Sequence, residues 1–409
     1  MLRSRLRGLA RNPRIPADLL ARLAHEQPKE AARTIPYRKE WTGEQFAALA
    51  GHPLSKVRAA LAEALYITAE QRAVLVEDPD LTVLRVLAEG PDYFFVWAFK
   101  PRPTPLPDRA YWRLYERSPK LALHLTVNPF VPVELQERLG VDTAPAAEKP
   151  PVSREEAEEQ AASDNEWTRS CAAAEAALSA GTVARLAGDP SPRVRLAVSM
   201  RPELTEEQRA AIDYHVGRDD RITPADWAVE TRDPAEQARC ARSAHIGLRR
   251  SVACNPHLSA GLIAMLAGDD DFAVRLLLCE RHLDVPPDTV LTTFLEATTM
   301  TRGRLLQHPS LLASGLARLA GHPDPQARAL AVRDPDAGPE LVERLSRDPD
   351  PLVRGRAADD PRLPLDRLLE LFEDPETAGP AAASPNLPIP LMHRILSDAA
   401  APENQGTPT

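Results

Sequence analysis

The sequence predicts an all-α protein, an α-solenoid built from about fourteen helical repeats of about 26 residues in two arrays. Three observations support this prediction: one phrase recurs at a nearly fixed interval, prolines punctuate it regularly, and the leucines keep helical spacing. The phrase is clearest in DPSPRVRLAVSMRPELTEEQ at residues 189–208 and in HPDPQARALAVRDPDAGPEL at residues 322–341. A fixed period of this size is typical of stacked helical repeats.

An arginine inside the phrase marks the phase of the repeat. Successive marker arginines are separated by 26, 26, 28, 26, 27, 26 and 26 residues. A proline follows most of them seven residues later, and this regularity lets each repeat be divided in the same way. The marker residues are Arg169, Arg195, Arg221, Arg249, Arg275, Arg302, Arg328 and Arg354.

Each repeat reads as a short helix followed by a second helix. An Asp-Pro pair such as Asp189-Pro190 opens it, because Asp caps a helix and Pro fits the first helical turn. The next proline stops the short helix. The second helix, as in PELVERLS, places Leu341 and Leu345 on one face. Neither helix can bury its apolar face alone, so stacking of the repeats must supply the core.

The first half of the chain carries the same repeat in a degenerate form, with Arg33 and Arg58 still in phase. An aromatic, proline-rich stretch breaks the period, and a proline-, alanine- and acid-rich stretch separates the two arrays; the second half of that linker is compatible with an acidic helix. Residues 379–396 are predicted to form a terminal capping repeat. The predicted parts are a degenerate array at 1–140 with an aromatic insert at 92–119, a linker at 141–166, a regular array at 167–396 and a disordered tail at 397–409.

The pattern resembles the leucine-rich repeat variant family, a HEAT-like, armadillo-type group common in bacteria. The segments NPRIPADLLARLA, NPHLSAGLIAMLA and DPRLPLDRLLELF carry the resemblance. It implies a right-handed superhelix of alternating short and longer helices that serves mainly to bind partners. One type of member holds an iron–sulfur cluster on a cysteine-rich N-terminal segment. Because this chain has no cysteine before Cys171, no cofactor is predicted.

Composition narrows the classes of function. A formal net charge of −9 disfavours a general binder of nucleic acid or of anionic membranes, which usually carries a basic surplus. The chain has no run of about 18 apolar residues, so no membrane span is predicted. The basic start is not followed by an apolar stretch, so no signal sequence is predicted. Four widely separated cysteines do not form a disulfide framework, so a reducing cytoplasm is expected.

The repeated arginines have two interpretations. As a ladder on one face they would suit phosphates or carboxylates. Alternatively each would bind the acidic residue that opens its own repeat, as Arg195 and Asp189 could, and so hold neighbouring turns together. The acidic balance of the chain favours the second, structural interpretation. The ladder residues are Arg195, Arg249, Arg275, Arg302, Arg328 and Arg354.

Two Cys-x2-His pairs raise the possibility of a zinc site. Cys254 and His257 form one pair, and Cys279 and His282 form the other, one repeat later. Thiolate and imidazole are zinc ligands, and Cys240 with His245 lies one helix upstream. Against this, Cys is a common small residue in tight helical cores, and stacked helices lie about 8–10 Å apart. Packing is the favoured interpretation.

Three stretches are candidate contact regions. The aromatic insert combines aromatic and arginine side chains, which are enriched at binding hot spots but which also fill irregular cores. The basic N-terminal stretch RSRLRGLARNPRIP suits either nucleic acid or a solvated helix end. The divergent repeat at residues 220–240 is a third candidate, since a repeat array often changes where it functions. The insert residues singled out for partner binding are Phe95, Trp97, Arg109, Trp112 and Tyr115.

No catalytic constellation stands out, so the sequence favours a non-enzymatic scaffold that binds a protein or peptide in a superhelical groove. One alternative is a HEAT-like DNA-binding protein or alkylpurine DNA glycosylase, in which Asp92 or Asp108 would lie near the aromatic insert. A metal-bearing solenoid centred on residues 240–282 is another. The identity of the partner and the oligomeric state stay open.

Overall fold

The computed structural model describes residues 1–90, 104–141, 152–174 and 177–400, with the side chains of residues 299 and 300 excepted. Every regular element in these ranges is a helix, and none of them contains a β-strand. The all-α prediction is therefore confirmed. No helix in the described part of the chain is long and apolar enough to cross a membrane.

The helices are short, as expected of a chain in which prolines and capping residues end each helix after two or three turns. In chain order they are α1 (Leu2–Arg11), α2 (Ala17–Glu26), α3 (Pro28–Thr34), α4 (Gly43–Ala50), α5 (Ser55–Ala62), α6 (Ala69–Val74), α7 (Leu81–Glu89), α8 (Asp108–Arg117), α9 (Ala122–Leu125), α10 (Val133–Arg138), α11 (Arg154–Ala161), α12 (Glu166–Ala174), α13 (Ala180–Ala187), α14 (Pro192–Ser199), α15 (Glu206–Ala210), α16 (Asp226–Glu230), α17 (Pro234–Ala241), α18 (Ile246–Val252), α19 (Ala260–Leu266), α20 (Phe272–Arg281), α21 (Pro287–Glu296), α22 (Thr299–Leu305), α23 (Pro325–Ala331), α24 (Pro339–Leu345), α25 (Pro351–Ala358), α26 (Leu365–Glu373), α27 (Ala378–Ala383) and α28 (Ile389–Ala400). Short 3₁₀ helices lie at Ile35–Tyr37, Leu75–Glu77, Pro119–Leu121, Pro309–Leu311 and Leu316–Gly321.

Polar side chains begin several of these helices, but two residues after the Asp-Pro or His-Pro pair that was predicted to do so; Asp189 binds Arg169 and does not cap α14. Asp350 accepts a hydrogen bond from the backbone N–H of Leu352 at 2.8 Å, and Pro351 occupies the first helical position of α25. Asp324 does the same at the start of α23. Thr42 and Gln45 form a reciprocal capping box at α4. Such caps satisfy backbone N–H groups that a helix leaves unpaired at its N-terminus.

The described residues form two compact units. Unit 1 combines residues 1–90 and 104–141 with residues 313–400, and unit 2 comprises residues 152–312. This division differs from the predicted pair of arrays, which placed residues 313–396 with the segment before them. The insert residues before 104, linker residues 142–151 and tail residues 401–409 lie outside the described residues.

Unit 1 joins the two ends of the chain into one row of helices. The helices α23, α25, α27, α1, α3, α5, α7 and α9 pack each against the next in that order. One hydrophobic core is shared by the two segments of unit 1 and extends from Val342 in α24 to Leu135 in α10. The packing of α27 against α1 therefore connects helices whose positions in the sequence are more than 360 residues apart.

The contact between α1 and α27 depends on two glycines. A Cβ on Gly8 would lie 1.9 Å from the carbonyl oxygen of Gly379, so only glycine permits this approach. Asn12 donates from Nδ2 to the carbonyl oxygens of Ala382 at 3.2 Å and Ser384 at 2.6 Å. Beside it, Arg5 donates to the carbonyl oxygen of Phe372 and lies 4.0 Å from its ring centroid.

The prediction of a terminal capping repeat at residues 379–396 was wrong in this respect. A cap presents a polar outer face, whereas Ala381 and Ala382 of α27 are fully buried against α1. Asn12 donates to carbonyl oxygens at the end of α27, as Asn255 donates to the carbonyl oxygens of Ala228 and Thr231 within unit 2. Helix α28 also extends to Ala400, so the first residues of the predicted disordered tail are helical.

Unit 2 begins with the second half of the predicted linker. Residues 154–161 form α11, which agrees with the acidic helix allowed for that stretch. Ala157 and Ala161 are fully buried against α12 and α13. The carboxylate of Glu158 accepts hydrogen bonds from Ser179 N and Thr182 Oγ1, which lower its pKa to about 2. This helix is therefore part of the core of unit 2 rather than a spacer.

Candidate functional site: an aromatic cleft in unit 2

The repeated arginines hold neighbouring repeats together, but through a different contact from the predicted one. Arg328 donates from Nε and Nη2 to both carboxylate oxygens of Asp348, 20 residues later, at 2.7 and 2.8 Å. Its Nη1 donates to the carbonyl oxygens of His322 and Pro323, at the start of its own repeat. The arginine bonds lower the pKa of Asp348. The same pattern joins Arg58 to Asp78, Arg169 to Asp189 and Arg249 to Asp269.

The expected pairing of Arg195 with the carboxylate of Asp189 was wrong. Arg195 donates to the main-chain oxygen of Asp189 at 2.7 Å, because the carboxylate is already held by Arg169 and by the backbone N–H of Ser191. The carboxylate that a repeated arginine binds therefore comes from the repeat that follows it, as with Arg169 and Asp189. Arg275 binds Glu296 and Arg354 binds Glu376, while Arg302 donates to the carbonyl oxygens of Phe294 and Leu295.

Three of the predicted zinc ligands, Cys254, Cys279 and His282, are buried, whereas His257 is exposed. Burial raises the pKa of the Cys279 thiol to about 12 and also raises that of Cys254, so both are protonated near neutral pH. The imidazole of His282 contacts the carbonyl oxygen of Ala253 at 3.1 Å. Across the described ranges, no group of three or more His, Cys, Asp or Glu side chains is arranged to hold a metal ion. His257 and Cys240 join no such group.

Buried His245 is expected to make the free energy of unfolding depend on pH. It is 1% exposed, stacks on Tyr214 at 4.0 Å between ring centroids, and contacts Ser199 Oγ at 2.8 Å. Burial, with a smaller contribution from Arg209, lowers the pKa of His245 to about 4. The unfolded chain takes up this proton at about pH 6.5. The free energy of unfolding is therefore expected to fall by roughly 2–3 kcal/mol from pH 7 to pH 4.5 through this group alone.

Urea unfolding of the full chain at pH 7 and at pH 4.5 measures this loss. His245→Gln removes the titrating group and is expected to show a smaller difference between the two pH values. An equal difference in both proteins would contradict the assignment to His245. His52, His282 and His308 add to the total in the same direction, because burial lowers the pKa of each of them.

The described part of the aromatic insert packs on unit 1. Trp112 and Tyr115 are half-buried against the core and meet edge to face at 6.5 Å. Arg138 lies 5.7 Å from the Tyr115 ring centroid. Arg109 and Asp108 are exposed on α8. The predicted binding residues Phe95 and Trp97, and Asp92 of the glycosylase alternative, lie outside the described residues.

The basic N-terminal stretch is largely neutralised by ion pairs. Arg3 and Arg7 each donate to the carboxylate of Glu30 at 2.6 Å. Arg5, 4% exposed, donates to Glu373 at 2.7 Å. Three of the five arginines in this stretch are thus paired with carboxylates.

The divergent repeat of the sequence breaks the helical pattern of unit 2. Residues 213–225 form no helix, and α16 begins only at Asp226, after the position where the short helix of a regular repeat would lie. Pro224 accounts for part of this, because a proline disfavours helical conformation at the residue before it. We call residues 213–225 the extended segment.

A buried arginine fixes the extended segment. Arg250 is 1% exposed and donates to the carbonyl oxygens of Gly217 at 2.9 Å, Arg218 at 3.3 Å and Asp220 at 3.0 Å. It also binds both carboxylate oxygens of Asp271. Burial alone would raise the pKa of Asp271, but the bonds from Arg250 and a backbone N–H lower it overall. The segment is thus held in one conformation from inside the unit.

A cleft of about 650 Å³ opens between the extended segment and helices α12 and α14. Its walls are mostly apolar, and a volume of this size is typical of a binding site. We call it the aromatic cleft. Its lining includes Trp167, Arg193, Met200, Arg221, Asp226 and Trp227.

The two tryptophans of the aromatic cleft are fixed differently. Trp227 is half-buried, and its Nε1 donates to the carbonyl oxygen of Met200 at 3.0 Å. Trp167 on α12 is 58% exposed. The guanidinium of Arg193 lies 5.1 Å from the Trp167 ring centroid, and that of Arg239 lies 5.3 Å from the Trp227 ring centroid. The arrangement presents indole surface and cationic donors in one concavity.

Sequence reasoning found part of this site. The divergent repeat at 220–240 was named as a candidate, and its residues Arg221 and Trp227 line the aromatic cleft. Trp167 and Arg193 were not named. Both lie two residues before a marker arginine, and the signal for them was an aromatic residue followed one repeat later by an arginine at the same position.

A comparison of the chain with models of known protein families and with characterised proteins finds no match.

Proposed function

We propose that the chain is a non-enzymatic α-solenoid scaffold, of the kind found in the leucine-rich repeat variant group, that binds an extended protein segment. The regular interval of the marker arginines supports the solenoid, as does the order in which the short helices pack within each unit. Four free cysteines, three of them buried, are consistent with a reducing cytoplasm.

The aromatic cleft is the observation that carries this proposal. It is concave and contains an exposed tryptophan beside arginine, the residue types that dominate binding hot spots. A rigid extended segment forms one wall, so the cleft is largely preformed and a ligand need not order it on binding.

The DNA-acting and metal-bearing alternatives have less support. Most ladder arginines are engaged by carboxylates of the next repeat or by main-chain oxygens, and the N-terminal arginines by Glu30 and Glu373. These cations are therefore largely compensated and offer little attraction to a phosphate backbone. The buried thiols near residues 240–282 are protonated, which disfavours metal ligation.

Selection of phage-displayed random nonapeptides on the full-length protein tests the proposal. Peptides enriched on the wild type are expected to bind Trp167→Ala about 30-fold more weakly, as for a hot-spot aromatic residue. The variant should unfold at the wild-type urea concentration, because Trp167 is mostly exposed. Leu283→Ala, which truncates another exposed apolar side chain of unit 2, is the matched control and should bind normally.

Two results would overturn the proposal. One is a set of enriched peptides that bind the wild type and Trp167→Ala equally well. The other is failure to enrich any peptide while a 20-base-pair duplex binds with an affinity that falls steeply with salt, since that would favour nucleic acid as the ligand.

A further inference from the structure

We infer that the aromatic cleft binds its peptide as a β-strand, which pairs with the main chain of residues 221–224 in the extended segment. This inference rests on the proposed peptide-binding function and adds how the ligand backbone is held. Three features of the cleft carry it: an extended stretch of main chain along one wall, unpaired main-chain groups on that stretch, and a fixed contact at each of its ends.

Residues 221–224 present extended main chain to the cleft. All four of them line it, and they form neither helix nor turn. Pro224 disfavours the helical conformation at Thr223. Ala225, which follows, has a φ of −76° and a ψ of 112°, in the extended region. We call residues 221–224 the cleft edge.

The main-chain groups of the cleft edge are unpaired. Within the described ranges, no group of the protein accepts a hydrogen bond from the backbone N–H of Arg221, Ile222 or Thr223. In the same ranges, no group donates to a carbonyl oxygen of the cleft edge. Unpaired N–H and carbonyl groups along an extended stretch are a template on which another strand can pair.

Two adjacent residues of α18 hold the cleft edge at its ends. Arg250 donates to the carbonyl oxygen of Asp220 at 3.0 Å, immediately before the cleft edge. Ser251 Oγ accepts from the backbone N–H of Ala225 at 2.9 Å, immediately after it. Arg250 and Ser251 are both buried. The cleft edge is therefore fixed from inside unit 2, while its own main-chain groups stay available to a ligand.

A β-strand is the regular conformation that complements these groups. A strand offers both N–H and carbonyl groups along each of its edges. A helical ligand pairs its main-chain groups internally, and a run of prolines has no N–H for the carbonyl oxygens of the cleft edge. In strand addition, main-chain hydrogen bonds give affinity and contacts of alternate side chains give specificity.

The opposite wall of the cleft supplies surface for the side chains of such a ligand. Trp167 of α12 and Leu196 of α14 lie on this wall and offer apolar contact. Successive side chains of a strand point to opposite faces. Every second side chain of the ligand can therefore contact the two residues, and an apolar residue at those positions is favoured.

The charges of the cleft favour an acidic residue elsewhere in the ligand. Arg193 and Arg221 line the cleft, and neither has an ion-pair partner in the described part of the chain. A third lining arginine, Arg201, is already ion-paired. Of the two lining aspartates, Asp220 already accepts a hydrogen bond from the backbone N–H of Gly217 at 2.7 Å. A ligand carboxylate near the first two arginines is complementary to them.

The first test is amide hydrogen exchange in the full-length protein with the peptide Ser-Thr-Val-Glu-Val-Glu-Thr-Ser, acetylated and amidated at its ends. Selective ¹⁵N labelling of isoleucine and threonine follows the amides of Ile222 and Thr223. Neighbouring N–H groups of an extended chain point to opposite edges. The peptide is therefore expected to slow the exchange of one of these two amides at least about tenfold and to change the other much less.

The second test is fluorescence anisotropy with the same peptide carrying a label. N-methylation of its valines and glutamates removes main-chain donors and keeps the side chains, and it is expected to weaken binding at least about tenfold. Arg221→Met should weaken binding about fivefold by removing a charged partner of the glutamates. Arg232→Met, an exposed arginine of unit 2 that does not line the cleft, is the control and should bind normally.

Four results would overturn the strand inference: no binding of the unmodified peptide, equal affinity of the N-methylated peptide, equal affinity of the two arginine variants, or equal exchange of the Ile222 and Thr223 amides with peptide bound. The nonapeptides of the preceding experiment separate this failure from failure of the proposed function. If they bind through Trp167, the peptide-binding function stands without the strand pairing. If they do not, the proposed function itself fails.

Discussion

Gly8→Val is expected to destabilise unit 1 by about 3 kcal/mol or more. The substitution places carbon atoms where the carbonyl oxygen of Gly379 lies, 1.9 Å from the Cβ position. The obstacle is backbone, so no side-chain rotation can relieve it. Helices α1 and α27 must move apart, which also pulls Asn12 away from Ala382 and Ser384. Urea unfolding followed by far-ultraviolet circular dichroism measures the loss.

Gly43→Val is the matched control, because Gly43 also lies in a helix of unit 1. A Cβ atom at this position would have no other atom within 4 Å. It is expected to change the unfolding midpoint little. If Gly8→Val and Gly43→Val had the same midpoint, the close packing of α1 against α27 would be contradicted.

Arg250→Met is expected to cost about 3–5 kcal/mol, as for removal of one partner of a buried ion pair. The variant leaves Asp271 without its cation and leaves the carbonyl oxygens of Gly217 and Asp220 without a donor. The extended segment should then lose its fixed conformation. Urea unfolding gives the cost, and amide hydrogen exchange over residues 213–225 should accelerate more than exchange in α12.

The control is Arg232→Met, which exchanges the same side chain at an exposed position of unit 2. Because binding at the aromatic cleft depends on the extended segment, Arg250→Met should also weaken peptide binding although Arg250 does not line the cleft. Wild-type exchange rates in residues 213–225 of this variant would show that Arg250 does not hold the segment.

The local parts of the fold were predictable from the sequence because their causes are local. Asp350 and Pro351 start α25 through interactions within three residues, and Asp324 and Pro325 start α23 in the same way. The 20-residue reach from Arg328 to Asp348 was missed. Spacing within one repeat showed that the opener and the arginine are near each other, but not whether the carbonyl or the carboxylate would be the acceptor.

The junction of α1 with α27 had no signal that a single sequence displays. Gly8 and Gly379 are separated by nearly the whole chain, and each glycine alone is compatible with an exposed helix. The aromatic cleft was predictable only in part. The break in the repeat drew attention to residues 220–240, whereas Trp167 and Arg193 lie in regular repeats and become conspicuous only when the helices bring them together.

The most direct measurement on the central claim, that the aromatic cleft is the ligand site, is the ¹⁵N–¹H spectrum of the tryptophan indoles in the full-length protein. The chain has five tryptophans, and Trp→Phe variants assign their signals. On titration with a nonapeptide enriched on the wild type, the signals of Trp167 and Trp227 are expected to shift, while those of Trp41 and Trp112 in unit 1 stay in place. Shifts confined to Trp41 or Trp112, or no shift at saturating peptide, would contradict the assignment of the ligand site to the aromatic cleft.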